Sequence, residues 1–287
     1  MPDITILPAN LATVVLDSFL YGLLFLLFTL TVYFLATRRT LAGTRRTTKH
    51  HFTSLVFIGV AALFLVVTVH WSIVIYQAFF AFIHLANPVA EDAFYANLGQ
   101  ISEVIKNIFL FIAILLGDAL VTYRLWVIWG RNRLVVMFPL FALSGLAVTA
   151  LGIIIQLTHW EPKLRGTLFH DESQPWTVTG FVLSLLANIY STGFIIFRIR
   201  RVGEGKSRSD SRLMSFLAIS VESAAFQTLW LIVAAMTQFG RSDVEFIATD
   251  TFPAIVGISN TLIHARVGLG WSQEPAQSPK PYNGDAV

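Results

Sequence analysis

The chain reads as an all-α polytopic membrane protein, a bundle of seven transmembrane helices. Three observations predict this: seven long apolar segments, short polar connections between them, and basic residues gathered in alternate connections. A mostly apolar stretch near twenty residues can cross the hydrocarbon layer as a helix. Of the 287 residues, 55% are hydrophobic and only 13% charged, against about 25% charged in a soluble domain. Phe occurs 24 times, and mean hydropathy is +0.67.

The segments follow in order. The first, Leu11–Ala36, comes after ten residues without Lys or Arg and is closed by Arg38 and Arg39. Basic residues that follow an apolar run, instead of preceding it, do not fit a cleavable signal, and the run is too long for one. The second, Phe52–Ile83, and the third, Ile101–Trp129, exceed what a bilayer needs, so they are expected to tilt or project outward. The fourth, Leu134–Thr158, is punctuated by Ser144, Gly145, Thr149 and Gly152, small residues that let helix backbones approach. The fifth is Trp176–Arg198. In the sixth, Leu213–Phe239, Ala218, Ser223, Ala224 and Ala225 surround Glu222. The seventh, Phe246–Val267, contains Pro253, which removes a backbone donor and predicts a kink. Trp126, Trp129, Trp160, Trp176 and Trp271 lie near segment ends as an aromatic belt.

Loop charge sets the orientation. Arg38, Arg39, Arg45, Arg46 and Lys49 follow the first segment, Arg131 and Arg133 the third. Arg198, Arg200, Arg201, Lys206, Arg208 and Arg212 follow the fifth, and Arg266 and Lys280 end the chain. These fifteen face three on the other side, Lys163, Arg165 and Arg241. Positively charged loops stay in the cytoplasm, which predicts an outside N-terminus and a cytoplasmic C-terminus. The expected organisation is a short extracellular stretch 1–10, a transmembrane domain 11–267 and a disordered cytoplasmic tail 268–287. Gly203–Ser211 and Ser272–Val287 read as flexible by composition. The membrane is the plasma membrane or an endomembrane.

Composition narrows the function classes. The sequence pI of about 9.3 comes from membrane-flanking loops, so it predicts no nucleic-acid partner. With no cysteine, disulfides, thiolate nucleophiles and Cys zinc sites are excluded. His70 and His84 are too far apart along a helix, roughly 21 Å, to share a metal. No metal and no cofactor are expected. No internal repeat suggests the doubled architecture of many transporters.

Ionisable residues inside spans are costly and mark functional candidates. They fall into two layers. In the outer layer His70, Gln77 and His84, spaced by seven, share a helix face. Glu103, Lys106 and Asn107 open the third segment, where Glu103 and Lys106 can pair at a spacing of three. Asp17, Gln156 and Asp250 lie at comparable depth. His70, Gln77, His84, Glu103, Asn107 and Asp250 are the candidate residues for a small or apolar ligand reached from outside. The inner layer contains Asp118, Arg124, Asn188, Glu222, Asn260 and His264. Asp118 and Glu222 are each roughly 14–16 Å from the cytoplasmic helix ends at 1.5 Å rise per residue. Asn260 and His264 share a face with Gly257, and Ser184, Asn188 and Thr192 recur at spacings of four. Such groups can glue helices, form a conformational switch, or do chemistry; for catalysis the candidate acids are Asp118 and Glu222.

The stretch Gly117–Pro139, GDALVTYRLWVIWGRNRLVVMFP, resembles a large group of receptor-like seven-helix membrane proteins from mushroom-forming fungi. RVGLGWS at Arg266–Ser272 resembles the same group. The matching blocks cover about thirty residues, with order and spacing that fit the whole chain. Members of the group often carry Cys after the Tyr-Arg pair, where this chain has Leu125. The resemblance implies a fold and a rough class, and carries over Asp118, Tyr123, Arg124, Trp129 and Arg266. Other seven-helix classes fit less well. The seventh segment has no lysine for a retinal Schiff base, and Asn260-Thr261-Leu262-Ile263-His264 is not Asn-Pro-x-x-Tyr. The function expected is therefore that of an orphan receptor-like protein in signal transduction. Its inner layer would be a bistable element, and the basic inner loops, Arg124 and Arg198–Arg212 above all, would face a cytoplasmic signalling partner or anionic lipid. The alternatives are a membrane-embedded enzyme, such as an acid-initiated terpenoid cyclase, or a small-molecule transporter.

Overall fold

The computed structural model of the chain describes residues 6–41, 49–85, 87–159, 167–203, 210–239 and 244–272. The described residues are helical with short turns and contain no strand. Among the described residues, seven long helices and two short ones succeed each other: α1 (Ile6–Leu41), α2 (Lys49–Phe79), α3 (Pro88–Tyr95), α4 (Ile101–Ile128), α5 (Arg133–Thr158), α6 (Thr167–Gly203), α7 (Asp210–Phe239), α8 (Val244–Asp250) and α9 (Phe252–Ser272). Among the same residues, five stretches are long and apolar enough to cross a membrane: Ile6–Phe34, Val56–His84, Ile101–Ile128, Arg133–Thr158 and Pro175–Arg198. Only 22–39% of each apolar window is buried. Bare apolar surface on this scale, such as Leu134, Met137, Phe141 and Leu151 along α5, is what lipid solvates and water does not. The chain is a multi-pass integral membrane protein.

Packed neighbours run α1–α2, α2–α4, α4–α5, α5–α6, α6–α7, α7–α9 and α9–α1, which closes a ring. Helix α4 also touches α6 and α9, and α2 also touches α9, so α4 and α9 stand nearest the centre. Every residue from 251 to 261 is buried. A helix covered on all sides belongs to the interior of a bundle.

Aromatic contacts tie α1 to α2. The Tyr21 and Trp71 rings stack at 4.4 Å and Phe28 on Phe64 at 4.2 Å. Trp71 Nε1 donates to Ser18 Oγ at 3.1 Å. At the other end of α4, Gly130 and Arg131 take left-handed φ values of 62° and 66° and reverse the chain. Asn132 then caps α5 by accepting from the Leu134 amide at 3.0 Å, a role its short polar side chain favours. The Arg131 guanidinium lies 5.6 Å from the centre of the Trp126 ring. The Gly-Arg-Asn-Arg sequence in the family-like block is thus a turn and a cap.

The structure departs from the sequence reading at several boundaries. Helix α1 starts at Ile6, inside the expected N-terminal stretch 1–10, and α9 runs to Ser272, into the expected tail 268–287. The second connection contains the short helix α3, capped by Asn87 with Pro88 in its first turn. A π-helical turn, Phe80–His84, ends α2; its wider turn rotates everything after Phe79 away from the earlier helix face. The expected seventh segment is two helices. The interruption is at Thr251, whose amide still donates to the Ile247 carbonyl and whose carbonyl still accepts from the Ile255 amide, each at 3.3 Å, so it is the kink expected beside Pro253.

Helices α4 and α9 cross at Gly117. A Cβ there would run into Val256 Cγ1 and come within 3.3 Å of Asn260 Nδ2. Overpacking of this kind costs about 1–3 kcal/mol. Gly117→Ala is expected to lower the melting temperature in detergent, and adding Val256→Ala to recover part of the loss. Gly22→Ala, with nothing within 4 Å of the new methyl, is the control expected to lose nothing. Equal melting temperatures for all three would show that the two helices are not in close contact.

Candidate functional site

Two polar clusters lie inside the bundle, one at each end of α4. The outer cluster is built round an ammonium group. Glu103 sits in the first turn of α4, where a helix N-terminus favours negative charge. Lys106 follows on the same face. Lys106 Nζ is 2.9 Å from Glu103 Oε1 and 2.9 Å from Asp250 Oδ2 at the end of α8. All three residues are buried, Lys106 to 3% exposure. Gln77 of α2 donates to Glu103 Oε2 at 3.1 Å and to Ser102 Oγ at 3.3 Å. Asn107 Nδ2 donates to Glu103 Oε1 at 3.1 Å.

Three further groups surround this ion-paired core. Asp17 of α1 lies within electrostatic reach of Asp250 and Lys106, is 1% exposed, and neither carboxyl oxygen has a hydrogen-bond partner. His70 of α2, within reach of Lys106 and Glu103, is fully buried with both ring nitrogens unpartnered. Tyr95 of α3 covers the cluster from the loop side, and burial pushes its phenol up to about 12, so it remains a neutral hydroxyl.

The inner cluster is joined by hydrogen bonds from several helices, where the outer one is centred on an ion-paired lysine. Asp118 Oδ2 accepts from Ser184 Oγ of α6 at 2.6 Å, and Asp118 Oδ1 from Gln227 Nε2 of α7 at 3.3 Å. Two turns further along α4, Arg124 Nη2 donates to the Asn260 carbonyl of α9 at 3.2 Å. Ser259 Oγ donates to the Ser223 carbonyl of α7 at 2.6 Å. Trp129 Nε1 donates to the Phe194 carbonyl at 3.2 Å, and the Arg198 guanidinium lies 5.4 Å from the centre of its ring. Below Gln227 is a cavity of about 30 Å³ bounded by α4, α6, α7 and α9.

The structure gathers most of the sequence candidates. His70, Gln77, Glu103, Asn107 and Asp250 are assembled round Lys106. His84 is not: it is exposed and stacks on Phe80 at 5.5 Å, because the π-helical turn carries it off the His70–Gln77 face. Among the inner candidates, Asp118, Arg124, Asn188 and Asn260 are buried close together. Glu222 lies on the exposed face of α7, one residue from the inward-turned Ser223. Gln227, not Glu222, is the α7 side chain that meets Asp118. The side chains of His264 and Arg266 lie outside the described residues. Gln156 is half-buried on α5.

Sequence reasoning missed the Lys106–Asp250 bridge, which spans 144 residues and has no local signal. It also missed Gln227, although a polar side chain four residues from Ser223 marks an inward stripe. Among the described residues, no three His, Asp or Glu side chains are grouped to hold a metal. Comparison with known proteins gives no matching family model, curated protein or solved structure.

Removing one partner of a buried ion pair costs about 3–5 kcal/mol, since the other charge is left bare. Lys106→Met is therefore expected to be among the most destabilising single changes in the bundle, and Lys106→Met with Asp250→Asn to be less damaging than Lys106→Met alone. Asp17→Asn removes an unpartnered carboxyl and is expected to leave the protein at least as stable as wild type near neutral pH. Detergent melting curves of the three variants and wild type decide this. A Lys106→Met protein that melts with wild type would mean that water reaches the bridge.

Proposed function

We propose that the chain is a seven-transmembrane receptor-like protein of the kind found in mushroom-forming fungi, with its N-terminus outside and its C-terminus in the cytoplasm. In this reading α7 and α9 are the sixth and seventh spans and complete the ring with the five apolar stretches. The fifteen-to-three division of basic residues supports the orientation. The observation that supports the reading is the inner cluster, where Asp118 and Arg124 of α4 reach α6, α7 and α9 through hydrogen bonds. Hydrogen bonds can be exchanged between two packings at modest cost where each group finds a new partner, as a bistable element needs. The outer cluster is where an external ligand would bias that element, and the basic inner ends are where a signalling partner would read it.

An acid-initiated cyclase is the second reading, since Asp118 is a buried carboxyl. It needs a cavity to hold its substrate. Small-molecule sites span about 300–1,000 Å³, and the cavity beside Gln227 is about 30 Å³. That mismatch favours the receptor-like reading.

Two experiments test it. Tags at either end, probed by protease on intact cells, should be cleaved at the N-terminus and protected at the C-terminus; a C-terminal tag cleaved from outside reverses the orientation. Asp118→Asn keeps the shape and hydrogen bonding but removes the proton, so basal signalling should shift while ligand binding persists. An acid catalyst would instead lose turnover, because an amide cannot donate the initiating proton. Product made by wild type and abolished in the variant would sink the receptor-like reading.

A further inference from the structure

Three buried polar atoms in the inner cluster have no hydrogen-bond partner in the protein: Asn188 Nδ2 of α6, Ser223 Oγ of α7 and Asn260 Oδ1 of α9. Their residues are 3%, 2% and 1% exposed. All three line the cavity of about 30 Å³, together with Arg124, Gln227 and Ser259. Buried polar atoms left bare are rare and costly. Three of them round one polar void are not three separate accidents.

The chemistry of the walls selects the occupant. Asn260 is fixed in orientation, because its Nδ2 donates to the Val256 carbonyl at 3.0 Å; Oδ1 can then only accept. Asn188 Oδ1 accepts from Thr192 Oγ1 at 3.3 Å, which leaves Nδ2 to donate. Ser223 Oγ can do both. A cation would meet the Asn188 amide hydrogens and the Arg124 guanidinium. An anion would meet the Asn260 carbonyl oxygen, and an apolar group would leave all three atoms bare. A water molecule donates and accepts at once. It needs at least about 10–15 Å³ of such space, so the cavity takes two.

We propose that this cavity is a built hydration site, in which two ordered water molecules bridge α6, α7 and α9 and bring solvent against Gln227, the residue that donates to Asp118. The waters join side chains that do not reach one another directly. They are the most easily exchanged links in the inner cluster, and α9 can shift against α7 there by trading water partners. The hydration itself stands on the cavity and its walls. Its role as the movable joint rests on the receptor-like reading.

Hydroxyl-radical footprinting with a short X-ray pulse tests this on the full chain in detergent. Radicals made from a trapped water oxidise the side chains beside it even where bulk solvent is excluded. Ile195 lines the cavity at 5% exposure, and Ile153 on α5, at 7%, does not. Ile195 should be oxidised several-fold faster than Ile153, and Asn188→Leu, which fills the void, should bring the two rates together. Equal rates in the wild-type protein would overturn the proposal. The melting temperature of Ser223→Ala gives a second readout, with a sign that depends on the water. A hydrated site loses a partner and melts lower, by about 2–4 °C per kcal/mol lost, whereas a dry site is relieved of a bare hydroxyl and melts higher. A higher melting temperature would also overturn the proposal. Both results are independent of signalling, so a hydrated cavity in a protein whose Asp118→Asn variant loses product would leave this inference standing and remove the receptor-like one.

Discussion

The bundle depends on one ammonium group with two carboxylates. Lys106 is enclosed by protein in a region where no bulk water can stabilise a lone charge, so its partners must come from the chain. Glu103 is supplied locally, three residues earlier on the same helix. Asp250 comes from α8 and has to be delivered to the right place. The helix therefore ends at Asp250, the backbone turns at Thr251, and α9 begins under it with Pro253 where a missing donor does no harm. That break lets α9 run through the centre of the ring, against Gly117, and brings the Asn260 carbonyl to Arg124. The inner cluster sits where it does because the outer bridge sets the start of α9.

The two clusters have opposite physical characters. The outer one is tight, charged and satisfied at short range, with Gln77 and Asn107 holding Glu103 from either side. Ion pairs of this kind define geometry sharply, because any displacement leaves a charge exposed to a low-dielectric surrounding. The inner one uses a carboxyl, a guanidinium, amides, hydroxyls and backbone carbonyls, spread over contacts of 2.6 to 3.3 Å. Helix α4 is clamped at one end to α2 and α8 round the ammonium group and joined at the other end to α6, α7 and α9 by hydrogen bonds.

How much was legible in the sequence follows from which forces leave a local trace. Lipid solvation does, so of the seven segments expected the first five coincide to a few residues with the five apolar stretches of the described structure, and the polar positions within them were visible as interruptions. Helix rotation does not. In α7 the acidic Glu222 drew the eye as the costlier group to bury, although it faces outward, while the inward stripe of Ser223 and Gln227 went unread. The π-helical turn at Phe80–His84 inserts an extra residue into the helical count, and seven-residue spacing then misplaced His84 while placing His70 and Gln77 together. The break at Thr251 was signalled by Pro253 as a kink. The partner that Asp250 meets just before it, Lys106, lies 144 residues away in sequence and leaves no local trace.

The central position of α9 has a consequence for how the protein is made. Helices emerge from the ribosome in order, and α9 is the last of the nine described. Until it arrives, the groove that it fills is lined by Gly117, Arg124 and Ser223, and Lys106 has only one carboxylate. The half-finished bundle is a ring with a gap, polar along its inner wall. Closure comes as one late event, in which α8 supplies the missing carboxylate and α9 covers the groove and gives Arg124 its carbonyl acceptor. A chain stalled before Asp250 would display an under-neutralised lysine inside the bilayer, a mark by which membrane quality control can tell an unfinished copy from a finished one.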